Sequence, residues 1–411
     1  MIKFSVLLPT RNRLDLLKYA VETVRRQDYD RWEIIISDNA SEDDVAGYVK
    51  SLGDPRIKYY RTAGFIPVTD NWNQALEKSS GDYVIMLGDD DGLLKGYFFT
   101  VNQLVEQYND PDFIYTSALL YTYPGVVPSH PDGLLQNYGY ADFLRTAKSP
   151  FLLDRRRALA SFGHSLNFKV RFGYNMQFFV VSRRIVDSLE RYGKFYQSPY
   201  PDYYASNVLM LKADLILVTP QPLVTIGVSP KSFGFYYSND LEGKGTQFLK
   251  NLPEANMARR LEKVVLPGTN MNTSWLLAME TILNNYGNET DAKIGYQRYR
   301  LLQIASVYKK CLLRMAGAEA DKTQLWHQMN RREKLRYGYG LSLFAALAAR
   351  LPTLCRVFLA KAMMAALRTY PWSPLPRIKG NYRTILDVFE QTTPGLPGGP
   401  SSATGTRSNS H

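Results

Sequence analysis

The sequence contains few of the residues from which many catalytic and structural sites are built. It has two cysteines, Cys311 and Cys355, both in apolar surroundings without partner spacing, which excludes a disulfide scaffold and a cysteine-type zinc site. Its four histidines show no paired spacing, which argues against a histidine-rich metal site. No apolar run approaches the ~20 residues that cross a bilayer. The start, MIKFSVLLPTRNR, is not typical of a secretory signal, because its short apolar stretch ends at Pro9. We therefore expect a cytoplasmic site of action.

The chain nevertheless has ample material for a core and a marked excess of positive charge. Its 411 residues are 45% hydrophobic, a length that suggests two domains or one enlarged domain. The formal net charge is +12, which favours polyanionic partners such as nucleic acid, acidic lipid or phosphorylated ligands. The basic residues are dispersed and no helix-turn-helix, RNP or zinc-finger signature is present, so we expect no nucleic-acid partner.

The first part of the chain alternates short apolar runs with amphipathic segments. Strands are predicted at Phe4–Leu8, Trp32–Ser37, Ile57–Arg61, Tyr83–Leu87, Phe113–Tyr123 and Met176–Val181. Helices are predicted at Asp15–Arg26, Asp43–Ser51, Asn71–Lys78, Leu93–Tyr108 and Tyr204–Leu211. Strands separated by helices predict an α/β fold with a mostly parallel sheet, whose ligand site lies beyond the carboxyl ends of the strands.

Polar residues follow three of these predicted strands. The first strand ends in Pro9-Thr10-Arg11-Asn12, the second in Ser37-Asp38-Asn39, and the fourth in Gly88-Asp89-Asp90-Asp91-Gly92. Three adjacent aspartates repel one another, and a divalent Mg²⁺ or Mn²⁺ ion would relieve this repulsion while leaving coordination positions for a diphosphate. The alternative is a solvated acidic turn.

The segments SVLLPTRNR, EIIISDNASEDD and NWNQALEKSSGDYVIMLGDDDGLLKG together resemble the family 2 glycosyltransferases. The resemblance covers about the first 110 residues and continues more weakly to about residue 235. It implies an inverting enzyme with the GT-A fold, a Rossmann-like sheet flanked by helices. It also implies a domain at 1–235, with the nucleotide-sugar half at about 1–110 and the acceptor half at about 111–235. The rest would be a helical region at 236–390 and a disordered, Gly/Pro/Ser-rich tail at 391–411.

The resemblance also implies roles for individual residues in donor binding. Pro9, Thr10 and Arg11 would border the base and ribose, and Asp38 would accept a hydrogen bond from the base. Asn73 would bind the donor, although Trp72 stands where many members have an arginine. Arg61 or the cluster at 155–157 would then supply the missing positive charge.

Asp89, Asp90 and Asp91 look like the family's DXD motif. Gly88 stands where many members have the first aspartate, so Asp90 and Asp91 would be the functional pair and Asp89 would occupy the variable position. Asp89 and Asp90 would reach the donor, while Asp90 and Asp91 would bind the metal.

Asp202, in the segment Pro199–Tyr203, matches the position of the general base that deprotonates the acceptor hydroxyl in inverting members. A carboxylate suits the start of a helix, and a nearby apolar wall would raise its basicity. The alternative role is an ordinary N-cap. Asp187 and Asp214 are the nearest other aspartates that could act as the base.

The sequence therefore predicts a metal-dependent transfer from a nucleotide sugar, with UDP- or dTDP-sugars favoured, to a glycan or lipid-linked acceptor in bacterial polysaccharide biosynthesis. The alternatives are a sugar-phosphate nucleotidyltransferase and a non-catalytic, nucleotide-sugar-binding member. The former is disfavoured because the loop after the first strand lacks glycine. Basic, apolar helices between Gly340 and Arg368 would either contact the membrane peripherally or pack as ordinary helices.

Overall fold

The computed structural model describes residues 1–127, 130–139, 141–232, 261–262, 264–367 and 376–392. The tail predicted from residue 391 lies outside these ranges except for its first two residues. The first 25 residues of the predicted helical region, 236–260, also lie outside them.

Within the described ranges, a mixed β-sheet of eleven strands forms the centre of the molecule. The strands are β1 (Phe4–Thr10), β2 (Trp32–Asp38), β3 (Ile57–Arg61), β4 (Tyr83–Met86), β5 (Gly92–Leu93), β6 (Phe113–Thr122), β7 (Leu134–Tyr138), β8 (Phe151–Leu152), β9 (Phe179–Ser182), β10 (Ile216–Val228) and β11 (Arg377–Ile378). Their main order is β11-β7-β6-β9-β4-β1-β2-β3, and β10 pairs with β5, β6 and β8.

The parallel strands β1, β2, β3 and β4 align the polar loops that the sequence singles out. Thr10 at the end of β1 lies beside Asp38 at the end of β2, and Leu7 lies beside Met86 at the end of β4. The same edge of the sheet therefore carries the loops after β1, β2 and β4. A further parallel pair, β6 with β10, extends the sheet beyond the antiparallel strand β9.

Helices flank this sheet where apolar residues recur at helical spacing. They are α1 (Leu14–Arg25), α2 (Val45–Leu52), α3 (Val68–Glu77), α4 (Tyr97–Gln107), α5 (Arg155–Leu166), α6 (Arg183–Ser188) and α7 (Pro201–Lys212). Helix α1 buries Leu17, Ala20, Val21 and Val24 against the sheet, as its amphipathic spacing predicts. The Asp44 carboxylate caps α2 by accepting the Gly47 N–H at 2.8 Å.

The second half of the chain adds further helices to the same body. They are α8 (Asn270–Tyr286), α9 (Tyr296–Leu313), α10 (Ala318–Gln328), α11 (Tyr339–Ala348), α12 (Thr353–Ala366) and α13 (Ile385–Gln391). A helical turn (Arg331–Glu333) and a π-helical segment (Lys334–Gly338) lead into α11. None of the helices in the described ranges is long and apolar enough to cross a membrane.

The main hydrophobic core extends past residue 235. Trp275, Met279 and Ile282 of α8, with Tyr299 and Leu302 of α9, belong to the same buried cluster as the strands. Helices α10 to α12 pack outside this cluster, on the outer part of α9.

The last described segment, 376–392, returns to the α/β sheet. Strand β11 pairs antiparallel with β7, and Tyr121 Oη donates a hydrogen bond to the Tyr382 carbonyl at 2.9 Å. In α13, Ile385 and Val388 are buried in a cluster with Leu16 and Leu94. The sheet edge is thus closed by residues that the sequence predicted to belong to a helical region.

Candidate functional site

A cavity of about 440 Å³ opens at the polar edge of the sheet. Its walls come from the ends of β1, β4 and β10, from α3, from the first turn of α7 and from Met271 of α8. The site therefore lies where the parallel arrangement predicts, beyond the carboxyl ends of strands. The lining includes Pro9, Thr10, Arg11, Asp89, Asp90, Asp91 and Asp202 from the sequence prediction, whereas Asp38 and Asn73 are not part of it.

The three adjacent aspartates are buried, so they do not form a solvated acidic turn. Asp89 is 3% exposed, Asp90 6% and Asp91 2%. Asp89 accepts a hydrogen bond from Thr10 Oγ1 (2.8 Å) and forms an ion pair with Arg13 at 3.0 Å between Nη1 and Oδ1. This carboxylate is neutralised by the loop after β1, so Asp89 joins the ends of β1 and β4.

Asp91 is fixed by donors from three parts of the chain. Its Oδ2 accepts the Gly88 N–H at 2.8 Å and Gln177 Nε2 at 2.7 Å, and its Oδ1 accepts the Gly227 N–H at 2.8 Å. Burial, and then the charge of Asp90, raise the pKa of Asp91 to about 8. Asp91 therefore ties the acidic loop to β10 and to the segment before β9.

Asp90 lies between these two and faces the cavity. Its Oδ2 accepts the Ser229 hydroxyl at 2.8 Å, while its backbone carbonyl accepts the Tyr123 hydroxyl at 3.1 Å. Burial raises the pKa of Asp90, and the charge of Asp89 acts in the same direction, against the guanidinium of Arg13. The neighbouring carboxylates Asp90 and Asp91 thus make a region where added positive charge is favourable.

The donor atoms of the acidic loop suit a hard cation that a ligand helps to bind. Among the described residues, no group of three or more His, Cys, Asp or Glu side chains could hold a metal alone. Mg²⁺ and Mn²⁺ at nucleotide sites use one or two carboxylates together with phosphate oxygens. Asp90 and Asp91 offer two carboxylates beside an open cavity, so these residues fit such an ion.

The loops after β1 and β2 form one wall of the cavity. The Arg11 guanidinium donates to the Asn39 carbonyl, and its central carbon lies 4.7 Å from the centre of the Phe65 ring. The Asn12 N–H donates to Ser41 Oγ at 3.0 Å, which links the two loops. Phe65 and Asn39 line the cavity beside Pro9, Thr10 and Arg11. This wall combines an aromatic ring, a guanidinium and backbone groups.

Asp38 lies beneath this wall and is fully buried. Its Oδ2 accepts hydrogen bonds from the Tyr59 hydroxyl at 2.7 Å and Arg61 Nη1 at 3.0 Å, and its Oδ1 accepts the Ser41 N–H at 2.8 Å. The side chain therefore holds the loop after β2 in place. Arg61 was a candidate to substitute for the missing family arginine, but its guanidinium pairs with the Asp38 carboxylate.

Asn73 is also buried and anchors a distant loop. Its amide nitrogen donates to the carbonyls of Tyr196 (2.8 Å) and Thr69 (3.0 Å), and its oxygen accepts the Tyr196 N–H at 3.1 Å. Trp72, the neighbour that replaces the family arginine, does line the cavity and packs edge-on against Tyr196.

Positive charge reaches the cavity from the loop after β1 and not from the predicted cluster at 155–157. Arg155 begins α5 and donates to the carbonyls of Met210 and Leu211 at the end of α7, away from the cavity. Arg11 and Arg13 both line the cavity. The sequence placed Arg13 directly beside PTRN but gave no sign that it would pair with Asp89.

Asp202 enters the cavity from the first turn of α7. The helix begins at Pro201, with Tyr200 as the N-cap, so the alternative role of Asp202 as an N-cap does not hold. The carboxylate accepts the Tyr203 N–H at 3.0 Å. Burial raises the pKa of Asp202 to about 7, against this hydrogen bond, which lowers it. A carboxyl group that titrates near neutrality suits proton abstraction. Asp187 and Asp214 do not line the cavity.

Aromatic side chains surround Asp202. Tyr203 stacks on Tyr200 at 4.9 Å between ring centres and meets Tyr174 edge-on at 4.6 Å, and both of these rings also line the cavity. Trp275 of α8 packs on Tyr203 at 4.8 Å. An apolar wall near Asp202 was expected, but its residues and its support from α8 were not predicted, because the irregular segment between β6 and β9 and the later helices gave no matching sequence signal.

Residues 5–152 match the sequence model of the family described as Glycosyl transferase family 2. The chain carries a family 2 glycosyltransferase domain. Together with the flanked, mostly parallel sheet, this match confirms the predicted GT-A type fold and, at the level of the domain, the predicted transferase class.

Two curated bacterial relatives each match part of this chain. One is GalNAc(5)-diNAcBac-PP-undecaprenol beta-1,3-glucosyltransferase of Campylobacter jejuni, 41% identical over 106 residues, 25% of this chain and 34% of the relative. The other is the putative colanic acid biosynthesis glycosyl transferase WcaA of Escherichia coli K12, 31% identical over 137 residues, 31% of this chain and 48% of the relative. The chain thus spans a third to a half of the length of these relatives.

Among solved structures, S. aureus TarS 1–349 in complex with UDP-GlcNAc aligns with a TM-score of 0.43 and 15% sequence identity. The alignment covers 82% of this chain and 92% of that chain.

Proposed function

We propose that this chain is a metal-dependent, inverting glycosyltransferase that moves a sugar from a UDP- or dTDP-sugar to a hydroxyl of a glycan or lipid-linked acceptor. One observation carries the proposal. A single cavity is lined by a buried acidic loop that suits a cation and diphosphate, and also by a carboxyl group, Asp202, with a pKa near neutrality.

The donor nucleotide would occupy the wall formed by Pro9, Thr10, Arg11 and Phe65. The Phe65 ring and the backbone groups of the loop after β1 suit a flat base and a ribose. Asp38 would act from beneath by holding this wall, unless the base displaces Tyr59 or Arg61 from its carboxylate. Asn73 would contribute through the loop that it anchors at Tyr196.

The diphosphate would lie against Asp89, Asp90 and Asp91 together with a Mn²⁺ or Mg²⁺ ion. Asp90 and Asp91 would hold the ion, which when bound offsets negative charge on the leaving diphosphate. Arg13 would bring positive charge to the same place, because its guanidinium lies 3.0 Å from Asp89 and lines the cavity. It would therefore take the part of the family arginine that Trp72 replaces.

Asp202 would serve as the general base. Its carboxylate takes the proton of the acceptor hydroxyl as the acceptor oxygen bonds to the anomeric carbon from the side opposite the diphosphate. The bond from that carbon to the diphosphate oxygen breaks at the same time, which inverts the configuration. The aromatic wall of Tyr174, Tyr200 and Tyr203 would bound the acceptor sugar and limit water around Asp202.

We propose residues 1–235 as the catalytic domain, with α8 supporting its acceptor side through Met271 and Trp275. The names of the two relatives support a bacterial polysaccharide pathway and a lipid-linked acceptor. The enzyme would then act at the inner face of the cell membrane, and contact through the C-terminal helices would bring it there.

Calorimetric titration with UDP and dTDP, each with and without Mn²⁺, tests the donor site. Wild-type protein is expected to bind one of them only with metal present, and Asp90→Asn to lose the metal-dependent part. Incubation with UDP-sugars and an undecaprenol-linked sugar then tests transfer. Release of pyrophosphate from a sugar phosphate and a nucleoside triphosphate would instead identify a nucleotidyltransferase.

A further inference from the structure

The segment from the π-helical residues through α11 to α12 carries a series of exposed apolar side chains. Leu335, Tyr339, Leu343, Leu347 and Leu351 recur every four residues from the π-helical segment to the turn after α11, and Leu354 and Phe358 lie four residues apart on α12. All seven are exposed, from 42% for Leu351 to 84% for Leu354. We call these seven residues the apolar stripe. Among the residues that the structure describes, most of the large exposed hydrophobic side chains belong to the apolar stripe.

The opposite face of the same helices is packed against the protein. Leu341 and Ala345 contact the cluster around Ile304 and Tyr308 of α9, and Ala348 and Ala360 are buried. A helix that is apolar on all sides normally lies in a core or in lipid. Because one face is already used for packing, the stripe is a second, separate apolar surface.

The charge around the stripe has one sign. Residues 334–367, which include the stripe, contain five lysines and arginines and no aspartate or glutamate. Arg336, Arg350 and Lys361 are exposed beside the stripe, while Arg356 is buried and donates to the Leu312 carbonyl. A surface that joins apolar side chains to unopposed positive charge complements an anionic lipid headgroup layer. A second copy of this chain would instead bring like charges together.

We propose that the apolar stripe and its flanking basic residues form a docking surface for an anionic lipid bilayer. The leucine and phenylalanine side chains enter the boundary of the acyl chains, and Arg336, Arg350 and Lys361 pair with headgroup phosphates. The chain then lies on the bilayer and does not cross it, as no described helix is a candidate span. The docking surface itself is independent of the proposed function. Only the purpose of docking, access to a lipid-linked acceptor, rests on that function.

Vesicle flotation of the full-length chain tests this surface. The probes are phosphatidylcholine vesicles with and without phosphatidylglycerol. Wild type is expected to float with the anionic vesicles, less so at high salt. Leu343→Ser with Leu347→Ser should weaken partitioning at least ~tenfold, because two leucine side chains no longer leave water. Arg350→Glu with Lys361→Glu should weaken it at least ~tenfold on anionic vesicles alone.

Phe99→Ser is the matched control, because Phe99 is a large apolar side chain on α4, 58% exposed and outside the stripe. It should float like the wild type. Point variants are a better test than a truncated chain, because a chain ending near Tyr339 would also lose β11 and α13. Equal flotation of the stripe variant and the wild type, or no flotation of the wild type, would overturn the proposal.

Two further measurements distinguish a bilayer from a second copy of the chain, or a segment of the same chain, as the partner that covers the stripe. Light scattering should give the same mass for wild type and stripe variant, and a fall in mass would assign the stripe to a second copy. The melting temperatures should also agree, and a large drop would assign the stripe to a segment of the same chain. UDP binding should be unchanged in the stripe variant, so failure of the donor site and failure of docking remain distinguishable.

Discussion

Asp202→Asn separates a catalytic from a structural role for this residue. The variant keeps the size of the side chain and an oxygen that can accept the Tyr203 N–H, so the first turn of α7 should persist. An amide cannot take a proton from the acceptor hydroxyl. Loss of general-base assistance typically lowers turnover by ~10²–10⁴-fold, and we expect a loss in that range.

The raised pKa of Asp202 also predicts how the reaction depends on pH. The base is active when deprotonated, so kcat/KM of the wild type should fall about tenfold per pH unit below pH 7 and level off above it. In Asp202→Asn this fall in kcat/KM below pH 7 should be absent. Steady-state rates of nucleotide release from pH 5 to 9 measure both profiles.

The same pKa predicts that the variant is more stable than the wild type in alkaline solution. In the unfolded chain the carboxyl group titrates near 3.8, whereas in the folded protein it titrates near 7. Between these values the folded state binds more protons, so stability falls as the pH rises towards 7. About three pKa units correspond to a cost of at most ~4 kcal/mol, since water in the cavity screens the carboxylate. Asp202→Asn removes this cost.

Urea denaturation at pH 5 and pH 8 measures this difference, and calorimetry with nucleotide diphosphate and Mn²⁺ checks that donor affinity is retained. The expected result is an inactive variant with near-normal affinity whose gain in stability is larger at pH 8. Wild-type turnover in the variant would refute the general-base role. A loss of stability at both pH values would show that the carboxylate supports the helix.

Other substitutions test the acidic loop and its supports. Asp90→Asn should keep the fold, because its amide oxygen still accepts the Ser229 hydroxyl, but should abolish metal-dependent nucleotide binding in calorimetry. Asp91→Asn should abolish binding and also lower stability to urea by about 1–3 kcal/mol, since its NH₂ group must face a buried N–H donor. Equal stability of these two variants would contradict the three-donor arrangement around Asp91. Gly227→Ala places a methyl group 1.9 Å from the Asp90 carbonyl oxygen and should cost about 3 kcal/mol, whereas Gly64→Ala, with nothing within 4 Å, should melt like the wild type. Asn73→Ala should lower stability by about 1–3 kcal/mol, because Tyr196 loses both backbone partners, with little change in nucleotide affinity. Weaker nucleotide binding at unchanged stability would instead favour direct donor contact by Asn73.

The elements of the first half that depend on local pattern were predicted closely. Strand β3 has the predicted bounds, and β1, β2 and α1 differ from prediction by one or two residues. Helix α4 begins four residues later than predicted, because Gly96 adopts a left-handed φ of 77° and Gly92–Leu93 pair with β10. Strand β10 was missed, since Pro220 and Pro222 interrupt its apolar pattern. In the structure the ladder shifts register around Pro222, which accommodates the prolines.

The cavity could be predicted only as far as its residues follow strands. Thr10, Asp89 and Asp202 were named from sequence and line one cavity. The partners of Asp91 could not be found in the same way, because Gln177 and Gly227 lie 86 and 136 residues further along the chain. The burial of the three aspartates could not be predicted from the sequence either. A run of three aspartates has the same sequence whether it is solvated or enclosed, and the packing of β10 over the loop determines which of the two occurs.

The return of residues 376–392 to the sheet has a consequence for synthesis of the chain. Tyr121 and Tyr382 are separated by 261 residues, and Arg26 forms an ion pair with Glu390 across 364. At ~5–20 residues per second, the ribosome needs tens of seconds between making β7 and making β11. During that interval the apolar side chains of Leu16 and Leu94 lack the cover of Ile385 and Val388, and the edge of β7 is unpaired. The nascent amino-terminal half therefore exposes apolar surface and an open strand edge until residues 377–391 emerge, although it contains nearly all of the proposed catalytic residues.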